Sequence, residues 1–220
     1  LTILLAYFAI QRGQYRYWIA LGAIAGIAML TKYYSAAMLP GIALYLLLFT
    51  QGRETLKTGG PYLSLMVFLI IMGWHLWYVD THQIGTVTHI GDYIASDFSS
   101  RIKAIEFLIA QLLYLVPILG VFFFVFLRHR PRTAPDTPEG SASSQGLPSF
   151  IYWMFLFPLI GTAAVGFIAG IGASSRWGGP TLSLAGIVLL MYWPLATDSP
   201  ARKQLVQAAF AWLAVFPLLL

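Results

Sequence analysis

The chain has 220 residues, of which 59% are hydrophobic and only 10% charged, and its mean hydropathy is +0.76. A soluble domain carries roughly 25% charged residues, so a water-soluble globule of this size is excluded. The net charge of +5 reads as membrane topology, with no nucleic-acid partner expected, and the absence of cysteine removes disulfides, thiolate nucleophiles and zinc–thiolate sites.

A spanning helix needs about 20 mostly apolar residues. Leu1–Ile10 is long enough only for the end of a span, and a polar turn, residues 11–16, follows it. A second apolar run, Tyr17–Thr31, is interrupted by Lys32-Tyr33-Tyr34, and Ser35–Thr50 runs back. At about 1.5 Å per residue, runs of about 15 and 16 residues fall short of the roughly 30 Å hydrocarbon core, so Lys32 is expected at a shallow junction from which it reaches headgroups or a cavity. The polar segment 51–60 precedes a fourth run, Pro61–Val79, and then comes the long polar loop 80–103. Ala104–Leu127 is the fifth run. Residues 128–149 are rich in Pro, Ser, Gly and Thr and read as a flexible cytoplasmic linker between the transmembrane helices of residues 1–127 and further transmembrane helices over 150–220. Beyond the linker Phe150–Gly172 is the sixth run, 174–180 a turn, Thr181–Leu195 the seventh, and Gln204–Leu220 an eighth. The expected fold is therefore all-α, a polytopic transmembrane helix bundle of about seven to eight segments with the first and last truncated. Gly22-x-x-x-Gly26 and Gly166-x-x-x-Gly170 have the spacing that lets helix backbones approach closely.

Charge fixes the expected orientation. The turns 11–16, 51–60, 128–149 and 197–203 fall on one side and hold Arg12, Arg16, Arg53, Lys57, Arg128, Arg130, Arg132, Arg202 and Lys203, nine of the thirteen basic residues. Basic loops collect in the cytoplasm, so Lys32, the loop 80–103 and the turn 174–180 are expected outside.

Few ionisable residues lie inside the runs. His75 sits between Trp74 and Trp77 and reads as part of an interfacial aromatic belt, while Glu106 lies near the start of the fifth run. This scarcity argues against a proton- or ion-coupled transporter. Lys32 is a compact cation suited to a phosphate oxygen, and equally a snorkelling lysine at a helix end. The outer loop holds Asp80, His82, His89, Asp92, Asp97, Arg101 and Lys103. His82 and His89 are weak candidates for a divalent metal, since seven residues separate them and no i,i+4 pair is present. Arg176, beside Trp177 in Ser175-Arg176-Trp177-Gly178-Gly179-Pro180, is a cation for a phosphate or sugar, or a helix-end anchor.

Three phrases together resemble the polyprenol-phosphate-dependent membrane glycosyltransferases, the superfamily of protein mannosyltransferases and aminoarabinose transferases. They are Gly22-Ala23-Ile24-Ala25-Gly26 running to Leu30-Thr31-Lys32-Tyr33 and Leu39-Pro40; His82-x-x-x-Thr86-x-x-His89; and Glu106-Phe107-Leu108-Ile109-Ala110-Gln111 leading to Pro117. They span residues 22 to 117, and beyond about 120 the likeness is hydropathic apart from the Arg176-Trp177 turn. In the outer loop Val79-Asp80 stands where the family commonly has Trp-Asn.

The resemblance implies a type C glycosyltransferase fold that works at the outer face of a membrane, expected here to be a bacterial plasma membrane. It implies Lys32, His89 and Arg176 as groups near the phosphate of a polyprenyl-phosphate-linked sugar, with a divalent metal ion as a further expectation. The family's catalytic acid lies in the first external loop, which places it upstream of residue 1, so the 220 residues alone are expected to be inactive. A transporter or lipid-carrier flippase shares the same topology and is the alternative.

Overall fold

A computed structural model describes residues 1–82, 98–128, 146–170, 172, 174–192 and 200–215. The described residues are helical, without strands, as the absence of water in a bilayer core requires of an open-ended chain. In chain order the helices are α1 Thr2–Arg12, α2 Tyr15–Thr31, α3 Met38–Leu48, α4 Thr50–Leu56, α5 Gly60–Thr81, α6 Phe98–Arg128, α7 Gly146–Ala169, α8 Gly179–Leu182, α9 Ala185–Tyr192 and α10 Pro200–Val215, with 3-10 turns at Tyr33–Ala37 and Ser175–Gly178.

Three segments are long and apolar enough to cross a membrane: Gly60–Thr81, Arg101–Arg128 and Leu147–Ala169. Ser35–Leu48 and Thr50–Leu56 make a fourth if the pair is taken as one span, although the two are bent by 93°. By that measure the described residues fall below the seven to eight segments expected. The runs read from apolarity include helices that are short: α1 and α3 have 11 residues each, and α2 has 17. Within the expected seventh span, Thr181–Leu195, bonding shifts at Ser183–Leu184, where the Leu184 amide reaches the Thr181 carbonyl at 3.0 Å, and residues 193–195 lie outside the described residues. The expected linker falls mostly on 129–145, outside the described residues.

The closest packing is between α2 and α5, which run parallel. The register is set by glycines. A Cβ on Gly22 would collide with the Ser64 carbonyl oxygen, one on Gly26 would lie 2.9 Å from Ile71, and one on Gly60 would collide with the Trp18 indole. Gly22 and Gly26 thus act as the spacing suggested, bringing one backbone against another. Gly170 has a conformational role: it adopts φ 67° just past the end of α7, a left-handed conformation that ends the helix. Because α2 and α5 are parallel, the chain between them must return. It does so through α3, whose proline, Pro40, sits in the first turn where the missing N–H is not needed. The short α4 then turns across the end of the bundle.

The core gathers Ala6, Ala9, Trp18, Tyr45, Phe150 and Met154 from α1, α2, α3 and α7. The Trp153 indole N–H donates to the Gly41 carbonyl at 2.6 Å, tying α7 to α3 across 112 residues. A smaller cluster packs Phe107 of α6 against Leu159 and Ala163 of α7 and Leu182 of α8. The outward faces of α5 and α6 are apolar and exposed, with Leu69, Ile70 and Trp74 on one and Leu112, Val116 and Phe123 on the other. Such faces are suited to lipid and not to water.

The basic turns are placed in adjoining pairs. The Tyr15 hydroxyl lies over Gly59, so the turns 11–16 and 51–60 are neighbours. There the Arg12 guanidinium donates to the Tyr17 hydroxyl at 2.7 Å, and Lys57 pairs with Glu54 at 2.8 Å. Arg128 at the end of α6 shares a hollow with Gln204 of α10, which joins the start of the segment after 128 to the one after 200.

Candidate anion site at the α2 terminus

Lys32 stands where α2 stops. The helix has no glycine there to take a left-handed turn, and Lys32 instead leaves in an extended conformation, φ −157° and ψ 112°. Three donors converge on one carbonyl to hold that exit. The Lys32 amide, the Thr31 hydroxyl and the Ser35 hydroxyl reach the Ala28 oxygen at 3.0, 2.8 and 3.1 Å. The Ser35 amide in turn donates to the Lys32 carbonyl at 2.9 Å. The Thr31 bond is a local one within the last turn, whereas the Ser35 bond crosses from the 3-10 turn back to α2 and closes the junction.

The Lys32 side chain is exposed, and among the described residues its ammonium has no hydrogen-bond or ion-pair partner. It sits beside the carbonyl end of α2, whose partial negative charge favours a cation. Ala28 and Ser35, which bracket it, line a hollow of about 570 Å³ whose opposite wall includes Ser183 and Leu184. The junction is therefore a braced backbone turn that carries an exposed cation, with two of its neighbours lining a cavity of ligand size. Its chemistry suits an anion.

The other candidates are less drawn together. Arg176 falls in the 3-10 turn Ser175–Gly178, seven residues before Ser183, and its side chain lies outside the described residues. His89 lies outside the described residues altogether. His82 caps α5, where its Nδ1 lies 3.0 Å from both the Tyr78 carbonyl oxygen and the Thr81 hydroxyl and its ring stacks on Tyr78 at 4.2 Å. Among the described residues no three His, Asp or Glu side chains form a metal-binding group. His75 is half-buried between Trp74 and Trp77, whose rings lie 5.1 Å apart, and Glu106 is exposed on α6.

Two residues that the sequence assigned no role at this place, Gln111 and Lys103, shape the turn 174–180. Gln111 of α6 is 3% exposed, and a Cβ on Gly178 would collide with its amide. The Lys103 stem lies over Gly172, 3.3 Å from where a Cβ would stand. The signal for the first pair was a polar residue recurring on the buried face of a long apolar helix. For Ser35 it was a hydroxyl three residues past the break.

Residues 1–78 match the family model of the dolichyl-phosphate-mannose-protein mannosyltransferases. The match supports the mannosyltransferase superfamily, and it contains the Gly22–Pro40 phrase and Lys32. No curated protein and no solved structure matches the chain.

Proposed function

We propose that the chain belongs to an integral membrane glycosyltransferase that moves a sugar from a polyprenyl-phosphate carrier to an acceptor at the outer face of the membrane. Lys32 is its phosphate-holding residue. The observation that supports this reading is the exposed Lys32 at a backbone-braced junction whose neighbours Ala28 and Ser35 line a hollow, inside the segment that matches the family. Arg176 and His89 are further candidate ligands of the same phosphate, and a divalent metal ion is a candidate partner.

In the reaction the acceptor hydroxyl gives its proton to a carboxylate, and its oxygen bonds to the anomeric carbon. The bond from that carbon to the phosphate oxygen breaks, and the polyprenyl phosphate departs with the electron pair. Lys32 Nζ faces the charge that grows on the leaving oxygen, the kind of electrostatic stabilisation that contributes most in such steps. The working side is the one with few basic residues, and the turns 11–16, 51–60, 128–149 and 197–203 are cytoplasmic.

The test uses the full-length protein. Lys32→Ala is expected to lower sugar transfer from a polyprenyl-phosphate donor by roughly 100-fold or more in kcat. Its unfolding temperature should stay unchanged, because the side chain is exposed. Unchanged transfer together with unchanged donor affinity would overturn the phosphate role. Sidedness is read separately, in a background free of other cysteines. Thr81→Cys is expected to react with an impermeant maleimide on intact cells, and Thr50→Cys only after permeabilisation.

A further inference from the structure

A second hollow lies between α6 and α10, well along the chain from the Lys32 junction, with a volume of about 610 Å³. Its body is apolar: Pro117, Val121 and Phe124 from one helix face Ala208 from the other. Its mouth is polar and cationic, formed by Arg128, Gln204 and Gln207. Neither the last turn of α6 nor any residue of α10 is acidic, and Lys203 adds a second exposed cation next to the mouth. The space persists partly because Gly120 projects nothing into it, and a Cβ there would meet no atom within 4 Å. Beside it the α6 face is exposed and apolar at Leu119, Phe123 and Leu127, so the hollow opens toward the acyl region of the bilayer.

We infer that this hollow is a site for an anionic phospholipid. One acyl chain fills the apolar body, and the phosphodiester lies at Arg128 with the Gln204 and Gln207 amides. A guanidinium offers planar paired donors to a phosphate, and the amides supply further N–H groups. A soluble anion would leave the apolar body unfilled, whereas a neutral lipid would leave Arg128 without a counter-charge. An anionic phospholipid satisfies both ends. The leaflet is the one bordered by the basic turns, where anionic lipid attracts Lys and Arg at about 1 kcal/mol each, or roughly fivefold in affinity. This site is independent of the sugar-transfer reading, because it uses neither Lys32 nor any donor-binding residue.

The full-length protein, purified in detergent, is exchanged with phosphatidylglycerol or phosphatidylcholine, and the retained lipids are counted by native mass spectrometry. The wild type is expected to retain phosphatidylglycerol in preference to phosphatidylcholine. Arg128→Gln should weaken that preference roughly fivefold, and Arg128→Lys should restore most of it. Gly120→Leu places a side chain in open space and should reduce retention of both lipids without changing elution or unfolding temperature. If Gly120→Leu does not fold, Arg128→Gln against Arg128→Lys decides. Equal retention by the wild type and Arg128→Gln overturns the inference. So does a change of oligomeric mass in Gly120→Leu with lipid retention intact, which assigns the hollow to a second copy. Preferential retention of polyprenyl phosphate at Arg128 overturns it in favour of the carrier.

Discussion

The α2–α5 interface and the α6–α10 hollow both turn on glycine, to opposite effect. At Gly22 and Gly26 the missing side chain is space already taken by the neighbouring helix, whose Ser64 carbonyl and Ile71 side chain occupy it. At Gly120 the missing side chain is space left open. Gly73, on the exposed face of α5, is open in the same way although it belongs to the same helix that packs against α2. A glycine in a membrane helix is therefore a permission, and its use depends on what stands opposite. In a bilayer, where lipid tails are as apolar as leucine, close backbone approach is one of the few ways helices gain by associating.

That contrast can be broken in a graded way, with thermal unfolding of the purified protein as the measurement. Gly22→Ala should have the largest effect, destabilising by about 3 kcal/mol, since its new methyl meets backbone that cannot turn aside and the helices must separate. A wild-type unfolding curve for this variant would show that α2 and α5 do not pack as described. Gly178→Ala should cost less, about 2 kcal/mol, because it meets the end of the Gln111 side chain, which is able to rotate but is buried. Trp153→Phe keeps the ring and loses only the N–H donated to Gly41, and about 1 kcal/mol is expected. Gly73→Ala should be neutral or stabilising by up to about 1 kcal/mol, because alanine favours the helix and nothing opposes its methyl. Reversal of the Gly22 and Gly73 results would sink the comparison.

The Lys32 junction was readable at the level of the chain and not at the level of its bracing. One cation between two apolar runs, followed by two tyrosines, marks a break wherever it occurs. That Thr31, Lys32 and Ser35 converge on the Ala28 carbonyl was not readable, because the Ser35 bond depends on how the 3-10 turn folds back on α2. The turn 174–180 shows the same division. Arg176 and Trp177 drew notice as charged and aromatic residues at a helix end, whereas the contact between Gly178 and Gln111 joins positions 67 residues apart.

Hydropathy is silent about breaks within an apolar run. Thr181–Leu195 is apolar throughout most of its length, and apolarity gives no sign of the switch in bonding at Ser183–Leu184. Nor does the spacing of Gly166 and Gly170 show that the second lies past the end of α7 with a positive φ.

What the sequence determined by itself was the helical, strongly apolar character of the chain and the break at Lys32. Each follows from solvation of a short stretch, which depends on that stretch alone. Which glycines are filled by a neighbour, that α2 and α5 run parallel, and that Arg128 borders an apolar hollow were decided only by the tertiary structure. Those outcomes depend on the shape of a second surface distant in sequence, and no local pattern carries that information.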